Sequence, residues 1–170
     1  MKSIIYLALL AFVSTLASPA LAAGKTAKAL LPLAVAEATK WQPDAALVNL
    51  ETKGAEPDGT VSVKPLPGLW SFTFMSPKTK KKILVTVDGK GEVTRLDSGY
   101  YKNVVVGEFT VDSDRAMAEA VKNGLKTNKF GMSMSLENRE GRAQWQMLDD
   151  KHFYYVDANT GQFLRKEKTD

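Results

Sequence analysis

Apolar and polar positions alternate along most of this chain, and where they do not, they recur at helical spacing. Leu31, Ala34, Val35 and Ala38 fall at i, i+3, i+4 and i+7, which predicts a first helix between Leu30 and Lys40 with Pro32 in its first turn and Pro43 closing it. Ala46 to Glu51 alternates like a strand, and Gly54 to Gly68, with three prolines and three glycines, reads as a long loop. Trp70, Phe72 and Phe74 mark one face of the next strand, while Ser71 and Thr73 mark the other. Ile83 to Val87 and Glu92 to Leu96 follow as strands, joined by the turn Asp88-Gly-Lys-Gly91. A second helix is predicted from an N-cap at Asp112 to about Asn128, with Met117, Ala120, Val121 and Leu125 as its apolar stripe. Met132 to Leu136, Ala143 to Leu148, His152 to Val156 and Gln162 to Lys166 then read as four short strands.

The order of elements repeats. Trp70 to Arg95 has a counterpart in Trp145 to Arg165, with Lys82-Ile-Leu-Val-Thr-Val-Asp88 set against Lys151-His-Phe-Tyr-Tyr-Val-Asp157. The fold class this predicts is α+β, built from two tandem units, each one helix packed on its own small antiparallel sheet. The division is a signal peptide over 1–22, a first unit over 23–98, an extended linker over 99–109 and a second unit over 110–170.

The signal peptide follows from a different pattern. Lys2, the apolar run from Ile4 to Leu16 and the small-x-small site Ala20-Leu-Ala22 predict export with cleavage before Ala23, into a periplasm or the medium. No later segment is long and apolar enough to predict a membrane span in the mature chain. With no cysteine, the chain has neither a disulfide nor a thiol for lipid attachment. Removing Lys2 from 23 basic residues leaves 22 against 19 acidic ones, a balance too mild to argue for nucleic acid.

The last strand pair carries a family resemblance. Tyr154-Tyr-Val-Asp-Ala-Asn-Thr-Gly-Gln-Phe-Leu-Arg165 resembles the end of a PepSY domain, and Val85-Thr-Val-Asp-Gly-Lys-Gly-Glu-Val-Thr-Arg95 resembles it more weakly. The tandem arrangement is also similar to that of the β-lactamase inhibitor protein fold, without its cysteines. The resemblance implies a non-catalytic module outside the cytoplasm that binds an envelope or secreted protein, a peptidase among them, as inhibitor or modulator. It assigns no functional residues.

Candidate chemistry is sparse. His152 is the only histidine and stands beside Asp149 and Asp150, but no second His or Cys completes a zinc site and no G-x-S-x-G is present. Asp157, Asn159 and Gly161 have the spacing that opens a calcium loop, with no distal Glu, so a hairpin turn is the expectation. Met132, Met134, Met147 and His152 are soft ligands in kind, yet Met132 and Met134 share the face that Leu136 marks as core. No enzyme activity, cofactor or metal is therefore expected. The candidate partner-binding residues are Phe153 and Tyr155, with Gln144 and Gln146 on the neighbouring strand, and the basic hairpin Lys78, Lys80, Lys81 and Lys82. The alternatives are a binder of small ligands or anionic surfaces, and a soft-metal carrier.

Overall fold

Among the described residues, eight strands and two helices form, in the order α1 (Ala27–Trp41), β1 (Ala46–Ala55), β2 (Leu69–Met75), β3 (Lys82–Asp88), β4 (Val93–Asp97), α2 (Ser113–Lys122), β5 (Met132–Arg139), β6 (Arg142–Leu148), β7 (His152–Asp157) and β8 (Phe163–Lys168). The structure is a computed structural model and describes residues 24–128 and 130–169. The predicted signal peptide, 1–22, lies outside the described residues.

The sheet order is β4-β3-β2-β1-β5-β6-β7-β8, so the two separate small sheets expected from the sequence are corrected to one antiparallel sheet. Its centre is the pairing of β1 with β5, in which Leu50 faces Leu136, Glu51 faces Ser135 and Thr52 faces Met134. The physical reason is an edge. Alone, each four-stranded half would leave β1 or β5 with unpaired backbone donors and acceptors, and pairing the two removes both edges at once. It also joins the apolar rows of the halves into one core.

That core lies between one face of the sheet and the helices. α1 packs on β2, β3 and β4, and α2 packs on β6 and β7. Trp70 and Trp145, both fully buried, meet edge to face near the centre with ring centroids 6.1 Å apart. Each indole is anchored: Trp70 Nε1 donates to Lys25 O at 3.2 Å, and Trp145 Nε1 donates to Val111 O at 2.9 Å. The helices also meet at their N-termini, where Asp112 caps α2 by accepting from Ser113 N at 2.7 Å and accepts from Lys28 N of α1 at 3.0 Å.

Both helices are rotated from their predicted stripes. The buried side of α1 is Ala27, Leu30, Ala34 and Ala38, with Pro32 inside the helix, and Val35 is 43% exposed. α2 stops at Lys122 and buries Ala116, Met117 and Ala120, leaving Val121 43% exposed. Alanine-rich helices cause this. Small residues allow close approach to the sheet, so the larger Val35 and Val121 turn outward. The hairpin glycines have specific work: a Cβ on Gly89 would lie 2.2 Å from Ser62 O, and Gly161 takes φ 76° in the β7–β8 turn.

Candidate functional site

Among the described residues, no helix lies on the other face of the sheet. Strand register places Thr94, Thr86, Ser71, Glu51, Ser135, Gln146, Tyr155 and Arg165 in one row running across all eight strands. Phe153 and Tyr155 on β7 and Gln144 and Gln146 on β6 belong to this open face, and the structure brings the four together. Gln146 is directly opposite Tyr155.

They do not lie bare. Tyr155 is only 4% exposed, because long side chains from β5 and β8 close over it. The Arg165 guanidinium sits 3.8 Å from the centre of its ring and that of Arg139 5.6 Å from it. Amides fix both guanidiniums: Arg165 Nη1 donates to Gln144 Oε1 at 2.9 Å, and Arg139 Nη2 donates to Gln146 Oε1 at 2.6 Å. Gln144 Nε2 in turn donates to Arg139 O at 3.1 Å, and Arg165 Nε donates to Glu167 Oε1 at 2.6 Å. Burial pushes the Tyr155 phenol up, and the hydrogen bond to Glu167 adds to the rise. Phe153, half-buried, continues the aromatic surface at 6.5 Å from Tyr155. The result is a platform in which an aromatic ring and two guanidiniums are held in place by neighbouring strands.

Beside the platform, the segment between β4 and α2 crosses the open face as a strap. Residues 98–112 form no helix or strand. Tyr100 Oη donates to Glu137 Oε1 at 2.9 Å, Lys102 Nζ forms an ion pair with Glu137, and Arg139 Nη2 stands 3.2 Å from Glu137 Oε2. Burial pushes the Glu137 carboxyl up, but the Lys102 and Tyr100 hydrogen bonds outweigh that and hold it below the usual range. Further along, Val106 N donates to Leu47 O at 2.8 Å. Asn49, 2% exposed, lies in the same region, and its Oδ1 makes no hydrogen bond.

The lysine hairpin is elsewhere. Lys78, Lys80 and Lys81 project from the β2–β3 connection, five strands along the sheet from β7, so they do not join Phe153 and Tyr155. Asp44 shapes that loop by accepting from Ser76 Oγ at 3.0 Å and from Lys78 N at 3.1 Å. Lys82 Nζ donates to Tyr100 O at 2.7 Å.

The remaining candidates occupy structural roles. Asp157 Oδ1 accepts from Asn159 N and Thr160 N, each at 2.9 Å, which closes the β7–β8 turn. Met132, Met134 and Met147 are buried in the core. His152 Nδ1 is 3.6 Å from Asp149 Oδ1 in a shallow pocket of about 280 Å³ whose lining holds no serine, threonine or cysteine. Among the described residues, no three His, Cys, Asp or Glu side chains converge as metal ligands would, and no helix is long and apolar enough to cross a membrane.

Arg139, Arg165, Glu137, Tyr100 and Lys102 were not singled out by the sequence pattern. Arg165 was within reach, since a hairpin turning at Asp157 to Gly161 sets it opposite Tyr155. The strap residues had no such signal.

No family model matches the chain, and no curated protein does. Among solved structures it is similar to the crystal structure of a candidate lipoprotein from Clostridium difficile 630, with a TM-score of 0.52 and 16% identity over 80% of this chain and 90% of that one. At that identity the likeness concerns the fold.

Proposed function

We propose that this chain is an exported, non-catalytic binding protein that docks an envelope or secreted protein on the β5–β8 half of its open sheet face. The observation that carries this is the Tyr155 platform, with its ring clamped by Arg165 at 3.8 Å and both guanidiniums held by glutamine amides. Arginine is among the side chains that dominate protein-binding energetics, and fixing Arg139 and Arg165 over the buried ring beforehand removes the entropy cost of ordering them on contact. Export is supported by the Lys2 to Ala22 pattern and by the description of the structural neighbour as a candidate lipoprotein. The PepSY resemblance makes a peptidase the first partner class to test.

The experiment is capture from envelope extract by wild-type protein and by the double variant Phe153→Ala, Gln146→Ala, with recovered peptidase activity measured on the captured material. Both positions are half-buried and flank the clamped ring, so the pair should lower capture by about tenfold or more with little change in melting temperature. Capture that survives the double variant would refute docking at this face.

A second reading has one observation in its favour. At the β2–β3 hairpin, Trp41, Lys80, Lys81, Lys82 and Tyr100 line an open pocket of about 630 Å³ in which three lysines outnumber the one carboxylate, Asp97, a setting for an anionic group or surface. Lys80→Glu with Lys81→Glu would then abolish anion-dependent melting shifts while leaving protein capture intact.

A further inference from the structure

The two edges of the sheet are built differently. β8 ends in Arg165-Lys-Glu-Lys168, and its pairing with β7 shifts register between Tyr155 and Val156, the charges and irregularity that natural edges use against further pairing. β4, Val93-Thr-Arg-Leu-Asp97, has neither proline, lysine nor bulge, its two charges are of opposite sign and so can pair with those of a second copy, and all five of its residues are exposed. Its hydrogen-bonding pattern follows from the bonds at either end of the β3–β4 pair. Ser98 N donates to Lys82 O at 3.3 Å and Asp88 N to Glu92 O at 3.1 Å. Antiparallel pairs alternate, so Thr94 and Leu96 turn their backbone groups toward β3, whereas Val93, Arg95 and Asp97 turn theirs outward. Three consecutive outward positions are therefore ready to accept a strand.

We propose that β4 pairs antiparallel with β4 of a second copy of this chain, about a two-fold axis at Leu96. Charge selects both the occupant and the register. Centring the pair on Arg95 would set Arg95 against Arg95 of the partner, and centring it on Thr94 would leave Asp97 without a partner. Centring it on Leu96 sets Arg95 of each copy against Asp97 of the other, twice, and brings the two Leu96 side chains, each 56% exposed, together on the open face. Arg95 and Asp97 both lie on the helix-bearing side of the strand, opposite Val85 and Ile83. Glu37 of α1 already steadies the Arg95 guanidinium there at 3.1 Å. The joined sheets would be continuous, leaving β8 as the outer edge of each copy and the Tyr155 platforms at the far ends, free for partners.

Sedimentation equilibrium of the purified protein over a concentration series tests this, with circular dichroism to confirm that each variant is folded. Wild type should show a monomer–dimer equilibrium. Arg95→Asp and Asp97→Arg should each weaken it about tenfold, since either change sets like charges opposite each other at two places, and the combination of both should restore it. Arg95→Pro should abolish association while keeping the fold, because the N–H it removes points away from β3. A wild-type chain that stays monomeric at every concentration would overturn the proposal. So would a dimer indifferent to both charge reversals, or a double variant no better than the singles.

Discussion

The two halves of the sheet match on one face and differ on the other. Toward the helices, Trp70, Phe72, Val85 and Val87 on β2–β3 are answered by Trp145, Met147, Tyr154 and Val156 on β6–β7, and all are buried. On the open face, β2–β4 present Ser71, Thr73, Thr86 and Thr94 together with Leu69, Leu84 and Leu96, while β5–β8 present Arg139, Gln144, Gln146, Tyr155 and Arg165. Packing against a helix constrains both halves alike, because a change of volume there is felt at once. The open face carries no such constraint, so one half shows hydroxyl and leucine side chains and the other builds a cluster of long polar ones around Tyr155. The proposed docking surface falls on the half with the ordered long side chains.

The comparison can be broken most severely at the shared core. Trp70→Ala and Trp145→Ala should each cost about 3–5 kcal/mol in urea unfolding, since each loses a large buried ring and the hydrogen bond from its indole. Near-equal losses would show that the halves depend on each other. A variant that melts only its own half would separate them.

A smaller effect tests the strap that divides the open face. Glu137→Ala should cost about 1–3 kcal/mol, because Tyr100 and Lys102 lose their shared acceptor. Amide exchange should quicken over residues 100–106 in the same variant. The pH dependence has a definite sign. Glu137 is held below its ordinary value of 4.5, so its contribution is complete above that value and is lost as the pH falls through the lower folded-state value. Glu137→Gln should flatten this acid limb of the stability curve.

The smallest effect sharpens the account of the helices. Val121→Asp would be severe if the predicted stripe were the buried one. With Val121 43% exposed, the change should stay within about 0.5 kcal/mol, and Met117→Asp should be the damaging substitution instead.

How far the chain could be read depended on the range of the interaction. Hairpins were legible, because Asp88 to Gly91 and Asp157 to Gly161 carry their own turn chemistry, and the apolar row of β3 alternates cleanly. The N-cap at Asp112 was legible for the same local reason. Joining β1 to β5 was not, since Leu50 and Leu136 are remote in sequence and nothing in either strand names its neighbour. Strand phase alone placed Phe153, Tyr155, Gln144 and Gln146 on one face. Their closure by Arg139 and Arg165 was missed because arginine on an exposed strand face reads as solvated, and only cross-strand register shows that it lies over an aromatic ring.

The central claim is that both halves form one body around one core, differing only in what they display. Equilibrium unfolding in urea tests it directly, followed by far-UV circular dichroism in wild type and by fluorescence in two variants, Trp41→Phe, Trp70→Phe and Trp41→Phe, Trp145→Phe, each keeping one tryptophan of the central pair. In each variant the fluorescence and circular dichroism transitions should coincide, and both variants should give a single cooperative step. Two separated transitions, one reported by Trp70 and the other by Trp145, would contradict the account.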